Sequence, residues 1–316
     1  MRRWLRNVSL QPTMSLVMSH QVVAIQLFPA RDAKVAAVTV RVRGERGWEH
    51  LMAWNLGSGE LTHGAWTTKR LRRRYTRLSP CGRFFLYTAQ DGGKSWHPAT
   101  RERVFAAEDG GGTAISRLPW LAALTRVHCR GMYASPIAGK HTLSAAEEAA
   151  LFAKFEGLAY HEAFPHQPGW ESVDADLLPP EALPQNRSAR RAVSRFQAAC
   201  IAPAGREVML VGAWRQSRGE KPAKMQWTLV AQTPDKTITK GLDVSSAWMS
   251  PATGRLLTAE PTGIITLFQP PKIGRGEAGP DIRLKVVARH DLSTLEPKPE
   301  RPPAKAFVPL SASELG

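Results

Sequence analysis

Residues 78–89 read LSPCGRFFLYTA, and the order of residue types in that stretch is the pattern on which the chain is built. An apolar residue is followed by the turn Ser79-Pro80-Cys81-Gly82, then by the apolar run Phe84-Phe85-Leu86-Tyr87. Proline presets φ in such a turn, and glycine supplies the positive φ that closes it. A short aromatic and aliphatic run after this punctuation predicts a buried strand.

The same grammar recurs along the chain. FPARDAKVAAVTV at 28–40 leads into HLMAWNLGSGEL at 50–61, where Leu51, Ala53 and Asn55 alternate with Met52, Trp54 and Leu56 before a Gly57-Ser58-Gly59 turn. IAPAGREVMLVGAW at 201–214 precedes MQWTLVAQ at 225–232, and MSPATGRLLTAE at 249–260 precedes IITLFQ at 264–269. RVFAA at 103–107 and RLKVVARHDL at 283–292 supply further strands. Pro29 and Pro80, like Pro203 and Pro251, are about 50 residues apart, and the gap between the pairs is close to three units of ~41, within the range of propeller blades.

These turns resemble the SPDG-type repeats of TolB-like and WD-repeat-like beta-propellers. The matching residues are Ser79-Pro80-Cys81-Gly82, Ala202-Pro203-Ala204-Gly205 and Ser250-Pro251-Ala252-Thr253-Gly254, and Trp54-Asn55-Leu56 with Gly59-Glu60 resembles the WD-dipeptide end of a unit. The turn Asp is absent from all three, and Asn55 stands where such a dipeptide has Asp. The resemblance implies an architecture and transfers no catalytic residue. The expected fold is all-β, an irregular propeller-like repeat of five to seven sheets with a short helical insertion. Closure into a ring would leave no long strand edge exposed.

SAAEEAALFAKFEG at 144–157 reads as that helix. Ser144 and Glu147 have capping-box spacing, Gly157 supplies a stop, and Leu151, Phe152 and Phe155 share the face that packs on the sheets. Prolines 165, 168, 179, 180 and 184 then mark loops around a short strand near 170–173. The expected organisation is a disordered extension over 1–17, a propeller-like domain over 18–295 with its insertion near 144–195, and a proline-rich tail over 296–316 that is linker-like or lies along the surface.

Candidate chemistry is sparse. GRGEAG at 274–279 matches a dinucleotide-binding glycine pattern by letters, but prolines flank it where a strand and helix are needed, so it reads as a flexible loop. EDGGGT at 108–113 lacks a following GK[ST] and reads as a turn. His161, Glu162 and His166 carry the wrong spacing for a zinc helix, with Pro165 between them. Cys81, Cys129 and Cys200 form no CxxC pair, which argues against a disulfide framework and fits a cytoplasmic protein. No run of about 20 apolar residues is present to span a bilayer. No catalytic residue, cofactor or metal is therefore assigned.

Charge is the remaining signal. The 316 residues hold 43 Lys plus Arg against 27 Asp plus Glu, a formal +16. Part of it is concentrated in Lys69, Arg70, Arg72, Arg73 and Arg74, and part in Arg187, Arg190, Arg191 and Arg195. If the second cluster is helical, Arg187, Arg191 and Arg195 fall along one face. Arginine's planar fork suits carboxylates and phosphates alike. The expected function is a noncatalytic scaffold presenting these basic loops to an acidic protein partner. The alternatives are a nucleic-acid binder that uses the same arginines on phosphates and a hydrolase with a divergent propeller active site. Tryptophans 54, 214, 227 and 248 are expected to fill space between sheets.

Overall fold

The apolar runs that follow the turns become strands of antiparallel meanders, in which almost every strand pairs with its predecessor in the chain. The computed structural model describes residues 21–43, 47–71, 76–90, 113–130, 133–136, 144–155, 171–173, 195–201, 207–216, 225–276, 279–306, 308, 311 and 314. The first sheet comprises β1 (Gln21–Pro29), β2 (Val35–Arg43), β3 (Trp48–Asn55) and β4 (Leu61–Thr67). The second holds β5 (Arg70–Leu71), β6 (Arg77–Leu78), β7 (Phe84–Gln90), β8 (Thr113–Arg117), β9 (Ala123–Arg130) and β10 (Tyr133–Pro136). After the helix α1 (Ala145–Ala153) comes the third sheet, β11 (Glu171–Val173), β12 (Arg195–Ile201), β13 (Val208–Gln216), β14 (Gln226–Gln232) and β15 (Thr237–Leu242).

The fourth sheet is β16 (Ser246–Met249), β17 (Leu256–Ala259), β18 (Ile264–Phe268) and β21 (Val286–Asp291). Between its last two strands stands the hairpin β19 (Lys272–Gly276) and β20 (Gly279–Arg283). The expected all-β class is borne out. The GRGEAG segment, expected as a flexible loop, is a correction, since Gly274, Arg275 and Gly276 end β19 and Gly279 begins β20. Ile273 lies opposite Ile282, whose fully buried side chain joins the main core and fixes the pairing.

The first sheet is buried on both faces. Side chains alternate across a strand, and Ala36, Val38, Val40 and Val42 of β2 enter one core while Ala37 enters another. Met52 and Trp54 of β3 go with the first set, Leu51 with the second. The first core continues into the third and fourth sheets through Leu210, Leu229, Leu257 and Leu267. The second continues into the second sheet through Leu78, Phe85 and Tyr87. Strand β1 accordingly touches β6 of the second sheet and β16 and β17 of the fourth.

The turns carry the geometry that their residues demand. Gly82 has φ +72° and its N–H donates to Ser79 O at 2.8 Å, while Ser79 Oγ, fully buried, accepts from Phe84 N–H at 3.0 Å. Gly254 closes a turn one residue wider, with φ +66° and an N–H to Ser250 O at 2.7 Å, and there the serine hydroxyl does not take part. Neighbouring sheets are joined turn to turn: Asp32 N–H donates to Pro80 O, and Arg255 donates to the carbonyls of Leu56 and Gly57. Asn55 replaces the expected Asp without loss of the turn, because its Oδ1 accepts from Gly57 and Ser58 N–H at 2.8 and 3.1 Å. Trp54 Nε1–H donates to Gly59 O at 3.1 Å beneath it.

The helix begins where the capping box placed it. Glu147 N–H donates to Ser144 Oγ at 3.3 Å, and Ser144 N–H donates to the Glu147 carboxylate at 2.6 Å. Leu151 and Phe155 pack against Phe84, Leu86, Ile115 and Leu124 of the second sheet. The tail follows the surface. Leu295 packs on the core, Ala306 is buried, and Arg117 donates to Val308 O and pairs with Glu314 at 3.0 Å.

Several expectations fall outside the described residues: the 1–17 extension, the RVFAA strand, most of EDGGGT, the His161, Glu162 and His166 group, the 202–205 turn and the prolines of 165–184. Trp54, Trp227 and Trp248 are buried between strands as expected, the last two with ring centroids 6.1 Å apart.

A Cβ at position 82 would lie 2.1 Å from Val35 Cγ1, in addition to the strain of a positive φ. Gly82→Ala is therefore expected to destabilise the fold by at least about 2 kcal/mol. Gly241→Ala, where nothing lies within 4 Å, should change stability by less than about 0.5 kcal/mol. Urea unfolding of the pair checks this, and equal midpoints would refute the turn's role.

Candidate functional site

Of the basic residues predicted from sequence, Lys69, Arg70 and Arg195 are among the described residues. Lys69 and Arg70 are exposed on the crossover from β4 to β5, with Lys69 N–H donating to Thr67 Oγ1 at 3.1 Å. Arg70 opens β5, opposite Gln90, while its neighbour Leu71 turns into the core. Arg72, Arg73 and Arg74, like Arg187, Arg190 and Arg191, lie outside the described residues. Arg195 starts strand β12 opposite Gln216, so the condition of a helical arginine face is not met at this residue. The pairing of 195–201 with β13, rather than local helix propensity, decides its conformation.

A second region was missed by sequence reading. It begins on the partly exposed strand β4, where Gly64 permits an unusually close approach. A Cβ there would lie 2.1 Å from Pro119 O, which instead accepts a hydrogen bond from Ala65 N–H at 3.0 Å. The loop between β8 and β9 thus docks on β4, and its Trp120 lines the same pocket as Trp66. The other wall is the extended tail. The resulting pocket, about 350 Å³, is lined by His63, Trp66, Trp120, Glu296, Lys298 and Glu300, with Gly64, Thr294 and Leu295 completing it.

Hydrogen-bond logic sets the protonation beneath this pocket. His50 is fully buried, and burial pushes its pKa down to about 4. Its Nδ1 lies 3.1 Å from Ala65 O, which only accepts, so Nδ1 carries the proton. Nε2 of the neutral ring is then an acceptor, and His63 Nδ1, 3.0 Å away, donates to it. His63, whose pKa is also lowered by burial and by His290, is left with Nε2 as a lone-pair acceptor. Trp66 stacks on His50 with centroids 4.0 Å apart and planes 11° from parallel, which immobilises the indole. Trp48 meets Trp66 edge-on at 6.4 Å.

The pattern of β4, LTHGAWT, gave little warning of this. His63 and Trp66 look like an ordinary edge strand, and Trp120, Glu296 and Glu300 are distant in sequence. Only a glycine inside a strand hinted that another backbone comes close. Among the described residues no group of three His, Cys, Asp or Glu side chains is placed to hold a metal, and no helix is long and apolar enough to cross a membrane. Cys81 is exposed as a free thiol, 3.3 Å from Ser79 Oγ.

No family model matches the chain, and no curated protein matches it. Among solved structures, an uncharacterized protein of Listeria monocytogenes EGD-e is 9% identical with a TM-score of 0.21. The match covers 80% of this chain and 63% of that one, so the chain spans less than two thirds of its length. The Cps50 (Swd1) beta-propeller domain of Myceliophteria thermophila is 10% identical with a TM-score of 0.20, over 86% of this chain and 76% of that one. A candidate 6-phosphogluconolactonase of Bacteroides uniformis is 10% identical with a TM-score of 0.22, over 84% and 87%. Similarity at this level assigns no family.

The buried His50 makes stability depend on pH with a defined sign. Its folded pKa lies below the ordinary value of 6.5, so the unfolded chain binds the proton more tightly. The contribution of neutral His50 is fully present above about pH 6.5 and is lost as pH falls to about 4, a change of roughly 3 kcal/mol. In urea titrations across this range, the stability difference between the wild type and His50→Gln is expected to shrink as pH falls. A difference constant with pH would show that His50 is not buried neutral.

Proposed function

We propose that this chain is a noncatalytic interaction scaffold of propeller-like build, whose basic loops bind an acidic protein partner. The supporting observation is the position of Lys69 and Arg70, exposed on the step between two sheets that share a buried core. Sheets buried on both faces hold such loops in place, so charges at their ends meet a partner at little ordering cost. The formal +16 gives long-range attraction to any acidic surface, and Lys69 and Arg70 open the densest run of positive charge in the chain. The succession of meanders, with the first sheet packed against both the second and the fourth, supports a ring-like order of sheets.

The same charges would attract nucleic acid, and the two ligand classes differ in salt response. Binding to phosphates falls steeply with salt because condensed counterions are released. Polyglutamate, duplex DNA and single-stranded RNA, titrated at two salt concentrations, separate the readings. The scaffold reading expects the acidic polypeptide to compete off both nucleic acids. Neutralising Lys69, Arg70, Arg72, Arg73 and Arg74 together to Ala should weaken polyglutamate binding by at least about tenfold. Preferential nucleic-acid binding, or an unchanged affinity in the neutralised variant, would overturn this reading.

A further inference from the structure

We propose that the pocket between β4, the Trp120 loop and the C-terminal tail is a binding site for an alkylammonium cation, the chemistry carried by a lysine side chain or a small primary amine. This site is separate from the basic loops and opposite to them in charge preference.

The lining contributes acceptors. From the tail, Glu296, Lys298 and Glu300 line the pocket, and the prolines between them do not. Neither carboxylate forms an ion pair among the described residues. His63 adds no positive charge while neutral, and the fixed tautomer of His50 leaves its Nε2 as an acceptor. With Lys298 counted, the lining is net negative in a protein of formal charge +16. Arg301 follows Glu300 but does not line the pocket, so within the lining the two carboxylates face Lys298 alone.

The walls supply the rest of the recognition. Trp66 and Trp120 offer indole surface, the best aromatic partner for a cation and a good cover for an alkyl chain. Trp66 is held by its stack on His50, and the backbone that carries Trp120 by the Gly64–Pro119 contact and by Ser116 Oγ, which donates to Trp120 O. The volume of about 350 Å³ accommodates a four- or five-carbon ammonium ion and lies at the lower end of ligand cavities. An anion would meet two carboxylates and one lysine. A neutral apolar molecule would leave both carboxylates and the His63 acceptor without the donors that the pocket selects for.

The test uses the full chain and a matched pair of probes, n-butylammonium chloride and n-butanol, followed through the indole N–H resonances of Trp66 and Trp120. Butylammonium should shift both signals and bind at least about fivefold more tightly than butanol. Glu296→Gln with Glu300→Gln should weaken it by about tenfold, whereas Lys298→Met should strengthen it two- to fivefold, at about the value of an exposed charge each. The opposite signs of these surface changes separate ligand binding from loss of fold, which circular dichroism of each variant checks. Equal affinity for butanol, or no shift of either resonance up to about 100 mM amine, would overturn the proposal.

Discussion

A sheet that is apolar on both faces must be covered on both, and the first sheet imposes that requirement on everything around it. Val38, Val40, Met52 and Trp54 face one way, and Ala37, Leu51 and Phe28 face the other, all of them buried. Each large side chain taken fully out of water contributes about 1.5–3 kcal/mol, so neither face is expendable. A two-layer sandwich covers only one face of each sheet. The second sheet meets one side and the fourth the other, and the order of sheets follows from that double demand.

Two-faced burial has a cost in specification. A one-residue slip normally drives apolar side chains into water, but here it would only exchange one core for another. Register must therefore be set by the turns and by side-chain size. Gly82 and Gly254 lock two turns through positive φ, and Asn55 locks another through its side-chain oxygen. Ala37 opposite Ala53 leaves room on the side that faces the second sheet, whereas Val38 and Met52 fill the other. The links from Asp32 to Pro80 and from Arg255 to Leu56 and Gly57 then align neighbouring sheets at one end.

The tail shows how an extended, proline-punctuated segment gains a place with little secondary structure of its own, a single 3-10 turn at Ala304–Ala306. Leu292 and Leu295 anchor its start in the main core, and Glu314 is held near its end by Arg117 and by Ser311 N–H, which lower its pKa to about 2. Between these points the chain passes β4 and forms one side of the pocket. Polar residues that read as solvent-facing linker, such as Glu296 and Glu300, become the rim of a cavity through this path.

Local order was legible in the chain. LSPCGRFF, SPATGR and WNLGSGE announce their turns because glycine, proline and asparagine act through the backbone of their own neighbours, and Ser144 with Glu147 announces the helix for the same reason. The basic runs were equally plain as composition. GRGEAG misled because its letters describe a flexible backbone, while the cross-strand pairing of Ile273 with Ile282 was invisible until both strands were placed. Arg195 was legible as charge but not as conformation, because pairing with a neighbouring strand sets its backbone. The pocket belongs wholly to the tertiary structure. His50 acquires its neutral tautomer from Ala65, the loop that carries Trp120 docks on β4 over a glycine, and the two carboxylates arrive from a tail more than two hundred residues after β4. Turn chemistry is local and can be read along the chain; burial, protonation and the meeting of distant walls exist only once the sheets have stacked.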